Sequence, residues 1–225
     1  MSTSVIIPAA GSGVRLGEDR PKAFVDLGGA TILARTVSSV LAADGLDLDR
    51  IVVVVPGELI DAVRSDLAGI DSATIVVTAG GDERTDSVRA GLNHVAGDFV
   101  LVHDAARPFT PAAVFHRVVE ALRAGFPAVV PGLPVVDTLK RVDDDTVIET
   151  VDRAVLRAVQ TPQGFHADAL AKAYLAADGG VATDDAGLAE RAGFGVHVVA
   201  GDPDAFKITT PWDLRLARAI AKGWD

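Results

Sequence analysis

The sequence predicts an α/β fold: a mainly parallel, twisted sheet flanked by helices on both faces, with a projecting β-ribbon arm. Three observations carry this. Short apolar, β-branched runs alternate four times with segments of helical apolar spacing between Val5 and Gly125. The runs are continuous rather than alternating, as in Ile51 to Val55, which marks strands covered on both faces. Beyond Ala128 the rhythm gives way to extended segments separated by Asp143-Asp144-Asp145, a turn signal.

Taken in order, Val5 to Ile7 is the first strand. Thr31 to Ala43 is a helix, with Ile32, Val37, Val40 and Leu41 on one side and Gly45 beyond its end. Ile51 to Val55 is a strand, Glu58 to Leu67 a helix, and Thr74 to Thr78 a third strand. Asp82 to Val95 is a helix with Asp82 as N-cap and Val88, Leu92 and Val95 inward. Phe99 to His103 is a fourth strand, and Thr110-Pro111 opens a helix as N-cap and first residue, running to Gly125. Ala128 to Val130 is a fifth strand. Pro134 to Leu139 and Thr146 to Val151 are extended, and the arm comprises residues 136–156. A lone two-stranded ribbon is marginally stable in water, which points to packing on a second subunit. Asp168 to Ala176 and Thr183 to Ala192 are helices, Val196 to Val199 is a strand, and Thr210 to Asp213 has capping-box spacing before a last helix.

Composition narrows the function. The 225 residues suit one domain, 1–225, and 49% of them are apolar, enough for a substantial core. A net charge of −10 argues against nucleic-acid or anionic-membrane partners, which need many cations, but not against a small anionic ligand. There is no cysteine, so disulfides, zinc–thiolate sites and cysteine nucleophiles are excluded. No apolar run approaches a membrane span of about 20 residues. Met1-Ser2-Thr3-Ser4 does not read as a signal peptide. A cytoplasmic location is expected.

The chemistry starts at Pro8-Ala9-Ala10-Gly11-Ser12-Gly13-Val14-Arg15, with Pro21-Lys22 just beyond. Small residues let backbone N–H groups approach a phosphate, and two long cations can hold it. The run is not a dinucleotide fingerprint: its third glycine, Gly17, comes one place late, and the second strand ends in Val55-Pro56, with no acid there to hold a ribose. It also lacks the Gly-Lys-Ser/Thr of a P-loop. It reads as a nucleotide site of a third kind, or as a glycine-rich connection with solvated cations.

Two further clusters fall at the carboxyl ends of strands, where open α/β sheets bind ligands. Gly80 to Ser87 can offer amides and a hydroxyl to a base edge, or can be a solvated first turn with an N-cap. In His103-Asp104-Ala105-Ala106-Arg107-Pro108, Asp104 can hold Mg²⁺ and Arg107 a phosphate, or the two can simply pair. Asp137-Thr138 with Lys140, Arg153 and Thr161, and Lys207, are further phosphate-binding candidates, each with an ordinary structural alternative, and Thr183-Asp184-Asp185 is a further polar cluster that can simply be an N-cap with favourable dipole charge. The five histidines show no metal-ligand spacing. The accumulated set is cations, amides and one acid, suited to stabilising charge on phosphorus without covalent catalysis.

The blocks Pro8-Ala9-Ala10-Gly11-Ser12-Gly13-x-Arg15, Pro21-Lys22, Gly80 to Val88, Val102 to Pro108, Asp137-Thr138-x-Lys140, Thr161-Pro162-Gln163, Thr183-Asp184 and Lys207-Ile208-Thr209 together resemble the 2-C-methyl-D-erythritol 4-phosphate cytidylyltransferase family of the non-mevalonate isoprenoid pathway, in family order. The resemblance implies a Rossmann-like enzyme that moves CMP from CTP to methylerythritol phosphate with Mg²⁺. It implies a CTP site of Ala9, Ala10, Gly11, Gly13, Gly81, Asp82, Ser87 and Ala105. Arg15, Lys22 and Lys207 become the catalytic cations, joined by Arg153 reaching across a homodimer. Asp104, Arg107, Thr138, Thr161 and Thr183 become substrate ligands, with Asp104 also the metal candidate. A cytidylyltransferase for another polyol phosphate, such as ribitol 5-phosphate, is the nearer alternative, and a non-catalytic nucleotide-binding module the more distant one.

Overall fold

The computed structural model describes residues 1–10, 21–70, 74–81, 83–177 and 184–223. The elements are β1 (Thr3–Pro8), α1 (Ile32–Leu41), β2 (Leu48–Val55), α2 (Ile60–Asp66), β3 (Ile75–Ala79), α3 (Arg84–Leu92), β4 (Phe99–Val102), α4 (Ala112–Arg123), β5 (Ala128–Pro134), β6 (Leu139–Asp143), β7 (Thr146–Val151), β8 (Arg157–Val159), β9 (Gln163–His166), α5 (Ala167–Ala176), α6 (Asp185–Arg191), β10 (Val196–Ala200) and α7 (Pro211–Ala221).

The main sheet has the order β10-β5-β9-β4-β1-β2-β3, with β8 paired to β5. β1, β2, β3 and β4 are parallel, as are β5 and β10. β9 runs antiparallel to both β4 and β5, and β8 antiparallel to β5. The β-branched runs behave as their composition demands. Val5, Ile7, Ile51, Val53 and Val55 pack with Leu33, Val37 and Val40 of α1 and Phe115, Val118 and Leu122 of α4. Ile6, Val52 and Val54, one residue out of step, face the other way, towards Val88 of α3, Leu170 and Ala173 of α5 and Leu188 of α6. Side chains alternate along a strand, so a run apolar at every position needs both faces covered. A third cluster joins Val25, Leu27 and Ile32 to Ile208, Leu214 and Ala217, seating α7 beside the start of α1.

Two helix starts differ from expectation. α3 begins at Arg84 behind Glu83, whose side chain makes no capping bond; Asp82 lies outside the described residues. α4 begins after Pro111, and the Thr110 hydroxyl donates to the Arg107 carbonyl at 3.1 Å. Thr110 therefore closes the loop after β4 rather than the helix. Thr31 does cap α1, accepting from the Ala34 amide at 3.0 Å, and Thr210 and Asp213 form the reciprocal box at α7. The fifth strand runs on to Pro134, and the ribbon strands are β6 and β7, joined by a turn in which Asp144 takes a positive φ of 45°. The ribbon forms its own two-stranded sheet, stitched by Arg141–Glu149 at 3.0 Å and Lys140–Thr150 at 2.6 Å.

The sequence reading lacked β8 and β9. They are three and four residues long, too short for a periodicity to register. β9 also carries Gly164, at a position where a side chain has no room. A Cβ there would run into Val118, and it would meet Leu101 and Leu122 at 3.0 Å. Gly164→Ala is accordingly expected to lower stability by about 1–3 kcal/mol through overpacking. Chemical denaturation measures this, and an unchanged midpoint would mean that α4 can move off the sheet without cost.

Candidate active site

The carboxyl ends of β1 and β4 lie side by side, because the two strands pair in parallel. The chain leaving β1 supplies Ala9 and Ala10. The Ala9 amide donates to the Val54 carbonyl at 2.8 Å, which holds the exit of β1 against β2. The chain leaving β4 supplies Asp104, Ala105 and Ala106. A cleft of about 200 Å³ opens between them. Its floor is Pro8, Ala9, Ala10, Ala23, Ala105 and Ala106, small or flat residues that leave room for a ligand. Its rim carries Lys22, Glu83, Arg84, Ser87, Asp104 and Lys207.

Each rim group is placed by its own local structure. Lys22 stands in a short 3₁₀ turn, Lys22–Phe24, held at the foot of α1 by the Ile32 amide bonding the Val25 carbonyl at 3.0 Å. Ser87 is fully buried on the first turns of α3. A Cβ on Gly80 would lie 2.6 Å from Ser87 Oγ and 2.9 Å from Val54 Cγ1, so glycine is what lets the end of β3 close on α3. The Asp104–Ala106 backbone is tied on two sides. Thr36 Oγ1 donates to the Ala105 carbonyl at 2.8 Å, and the Ile208 amide donates to the Ala106 carbonyl at 2.9 Å. That second bond carries the neighbouring Lys207 to the cleft. Asp213 of α7 steadies the same loop by accepting from the Thr209 and Thr210 amides at 2.9 and 2.7 Å.

Asp104 is the electrostatic centre. It is only 8% exposed, yet three cations reach it. Lys207 Nζ lies 2.8 Å from Oδ2, Arg84 Nε 3.7 Å from Oδ1, and Arg107 Nε 3.8 Å from Oδ2. Burial pushes the Asp104 carboxyl up, but Lys207, Arg84 and Arg107 outweigh it and hold it at about 2. Burial lowers Arg107, and Asp104 opposes that change. Arg84 is raised: burial works against its charge, and Asp185 and Asp104 prevail. Next to Asp104, His103 is fully buried and lowered to about 4 by desolvation, so it is neutral at physiological pH. Its Nδ1 pairs with Thr161 Oγ1 at 3.1 Å, and the same oxygen accepts from the Asp104 amide at 3.0 Å.

The sequence-derived candidates divide accordingly. Lys22, Ala9, Ala10, Ser87, Asp104, Ala105 and Lys207 meet at the cleft. Gly81 follows β3, beside α3, with the Ser87 hydroxyl 3.4 Å from its carbonyl. Arg107 and Thr161 stand behind Asp104 rather than on the cleft wall. Arg107 is 8% exposed and donates to the Ala205 carbonyl at 2.6 Å, and Thr161 is 4% exposed. Their groups orient Asp104, and the pairing of Asp104 with Arg107 that the sequence left open is present. Thr138 and Arg153 are exposed in and beside the ribbon, away from this chain's cleft lining, and Arg153 donates to the Val136 carbonyl. Gly11, Gly13, Arg15, Asp82 and Thr183 lie outside the described residues.

Asp104 does not suit the role of a direct metal ligand, because its oxygens already face an ammonium and two guanidiniums. Among the described residues no group of three or more His, Asp or Glu side chains is arranged to hold a metal ion. A cleft-lining residue that sequence reasoning left without a role is Arg84. A lone cation among acids at the start of a helix, beneath the predicted strand edge, was the available signal.

The neutral His103 has a consequence for stability. Unfolding lets its imidazole rise from about 4 to its ordinary 6.5, so the unfolded state takes up a proton between those values. Stability is therefore lost as pH falls from about 6.5 to about 4, on the order of 3 kcal/mol. Asp104, held at about 2, acts in the same direction lower down: its contribution is present above its unfolded value and lost as pH falls through about 2. His103→Gln is expected to flatten the pH 4–6.5 part of the stability curve, read as denaturation midpoints across pH. An unchanged slope would show that another group carries it.

A family model described as IspD, 2-C-methyl-D-erythritol 4-phosphate cytidylyltransferase, matches residues 3–223. A protein of that name from Rhodococcus jostii is 58% identical over 219 residues, covering 96% of this chain and 94% of the relative. One from Nocardia farcinica is 58% identical over 222 residues, covering 97% and 94%. The solved structure of the Thermus thermophilus 2-C-methyl-D-erythritol 4-phosphate cytidylyltransferase superposes with a TM-score of 0.81 at 38% identity, covering 99% of this chain and 100% of that one. The Anaerococcus prevotii 4-diphosphocytidyl-2C-methyl-D-erythritol synthase structure gives 0.84 at 31% identity, with 98% of each chain covered.

Proposed function

This chain belongs to the 2-C-methyl-D-erythritol 4-phosphate cytidylyltransferase family, and on that premise we propose that the cleft between β1 and β4 is where its reaction runs. The enzyme transfers CMP from CTP to 2-C-methyl-D-erythritol 4-phosphate, giving 4-diphosphocytidyl-2-C-methyl-D-erythritol and pyrophosphate in isoprenoid-precursor synthesis. The observation that best supports the site is the meeting of Lys22 and Lys207, from opposite ends of the chain, over a floor of alanines.

In this reading an oxygen of the acceptor phosphate attacks the α-phosphorus of CTP in line, and pyrophosphate departs. The nucleophile is already an anion, so no general base is required. This suits a site whose nearest histidine is buried and neutral. The barrier is repulsion between two anions, and fixed cations reduce it. Lys22 and Arg15 hold the triphosphate, while Ala9, Ala10, Gly11, Gly13, Gly81, Asp82, Ser87 and Ala105 accommodate the nucleotide. Lys207 and Asp104 stand at the acceptor, with Arg107 and Thr161 behind Asp104, and Thr183 is read as a further acceptor ligand. Mg²⁺ arrives on the triphosphate, whose oxygens are the hard ligands it prefers, and adds positive charge there.

The whole chain, 1–225, is read as one catalytic domain with residues 136–156 as an arm. The arm bears Val136, Val142, Val147, Ile148 and Val155, each more than half exposed. Apolar surface of that density on a two-stranded ribbon supports a homodimer, with Thr138 and Arg153 completing the partner's cleft. A cytoplasmic setting agrees with the absence of cysteine, and no described helix is long and apolar enough to cross a membrane.

Product analysis with CTP, Mg²⁺ and methylerythritol phosphate should yield pyrophosphate and the cytidylyl diester, with ribitol 5-phosphate turned over far more slowly. Lys22→Ala should keep the fold and lose about 10²–10³ in turnover; near-normal turnover would remove Lys22 from the catalytic set. A mixture of Lys22→Ala and Arg153→Ala chains should regain activity that neither has alone, because one cleft of the mixed dimer is intact. Failure to regain it, with subunit exchange verified, would place Arg153 outside the partner's site.

A further inference from the structure

Arg84 has no part in the division of labour above, yet it joins two carboxylates that lie on different elements. Asp185, the first residue of α6, is completely buried. Its Oδ1 accepts from the Tyr174 hydroxyl at 2.5 Å, and its Oδ2 lies 2.7 Å from Arg84 Nη2. The same edge of the guanidinium reaches the cleft, where Nε is 3.7 Å from Asp104 Oδ1. Asp104 in turn holds Lys207 Nζ at 2.8 Å. A buried ion pair adds little net stability compared with apolar packing, since desolvation offsets the attraction. What such a pair supplies here is a place: it seats a rigid, planar guanidinium between the two carboxylates, by ion-pair contacts at 2.7 Å to Asp185 and 3.7 Å to Asp104. Lysine has one ammonium and cannot engage both carboxylates with that geometry. Lys207, with its side chain 44% exposed on a flexible stem, is the group that gains from being located.

We propose that Arg84 is a positioning residue for cytidylyl transfer: anchored on the buried Asp185, it holds Asp104, and through Asp104 it fixes the ammonium of Lys207 at the acceptor. This rests on the reading of the cleft given above. It separates Arg84 from Lys22, which acts on the phosphates directly.

The test is steady-state pyrophosphate release with CTP and methylerythritol phosphate, together with thermal melting. The proteins are wild type, Arg84→Lys, Arg84→Met and Arg84→Met/Asp185→Asn, and Arg84→Lys in an Asp104→Asn background. Arg84→Met leaves Asp185 buried without a counter-charge and is expected to melt early. The double variant removes that charge while Asn can still accept from Tyr174, so melting should recover. Turnover should not recover, remaining down roughly 10-fold to 10²-fold, because the reacting groups are misplaced. Arg84→Lys, which keeps a positive charge, should show a similar loss in a folded protein and decides the matter if the double variant fails to fold. In the Asp104→Asn background the same change should cost almost nothing further, since Arg84 acts through Asp104.

Turnover within about twofold of wild type in Arg84→Lys, or in a folded double variant, would reduce Arg84 to a stabilising role and overturn the inference. So would a full loss that persists without Asp104, which would mean that Arg84 touches substrate. Wild-type protein that releases no pyrophosphate would remove the parent reading itself, a result distinct from these.

Discussion

The site depends on one buried carboxylate. Asp104 leaves the end of β4 with little water around it, and a lone ionised group there would carry a large desolvation cost. Three cations answer that cost, and each comes from a different part of the chain: Arg84 from the start of α3, Arg107 from the loop after β4, and Lys207 from the segment before α7. The cations in turn are like charges that would otherwise repel. Asp104 is what allows them to share a small volume. The outcome is a rim carrying more positive than negative charge in a chain whose net charge is −10. Local composition, not overall charge, decides what this cleft attracts.

The same carboxylate explains why so much of the apparent ligand set is found behind the cleft. Arg107 and Thr161 are polar groups near an acid, and from the sequence they look like substrate contacts. In the fold each is turned to backbone or neighbours, although Arg107 Nε is buried without a hydrogen bond. Arg107 bonds the Ala205 carbonyl, and Thr161 stands between His103 and the Asp104 amide. Such groups constrain Asp104 rather than line the cleft. A residue type and a motif position identify a neighbourhood; only burial and bond partners separate a ligand from its support.

How much was legible follows from the same distinction. Strands β1 to β5 and their flanking helices were readable because a two-faced strand leaves a continuous apolar run and a covering helix leaves a stripe. The convergence of Ala9, Lys22, Ser87 and Asp104 followed from parallel order, since parallel strands bring their carboxyl ends to one edge. Lys207 was one weak candidate among several until the resemblance singled it out, because nothing local announces that the Ile208 amide will bond the Ala106 carbonyl 102 positions away. Arg84 was visible but silent. Its role arises from Asp185, and the burial of Asp185 is a product of how α5 and α6 pack. The start of α4 was misassigned because Thr is equally suited to turns, and a hydroxyl takes whichever partner the loop brings nearer.

The element that was hardest to read, β9, lies behind the cleft and ties its backbone to α6. An uninterrupted parallel sheet would set β5 beside β4, and the loop after β4 would have only helices for neighbours. Inserting a short antiparallel strand between them reverses the chain at the ligand edge. That reversal brings Thr161, two residues before β9, against the Asp104 amide. It also aims Gln163 at α6, where its amide donates to Asp184 at 2.7 Å and its carbonyl accepts from the Ala186 amide at 3.0 Å. Asp185 lies between those two contacts, so the strand that supports Asp104 from behind also locates the carboxylate that anchors Arg84. Gly164 is the residue that permits this, since any side chain at that point would collide with α4. The antiparallel insertion is therefore part of the architecture behind the cleft: it meets both the Asp104 amide and the start of α6, from which Asp185 reaches Arg84.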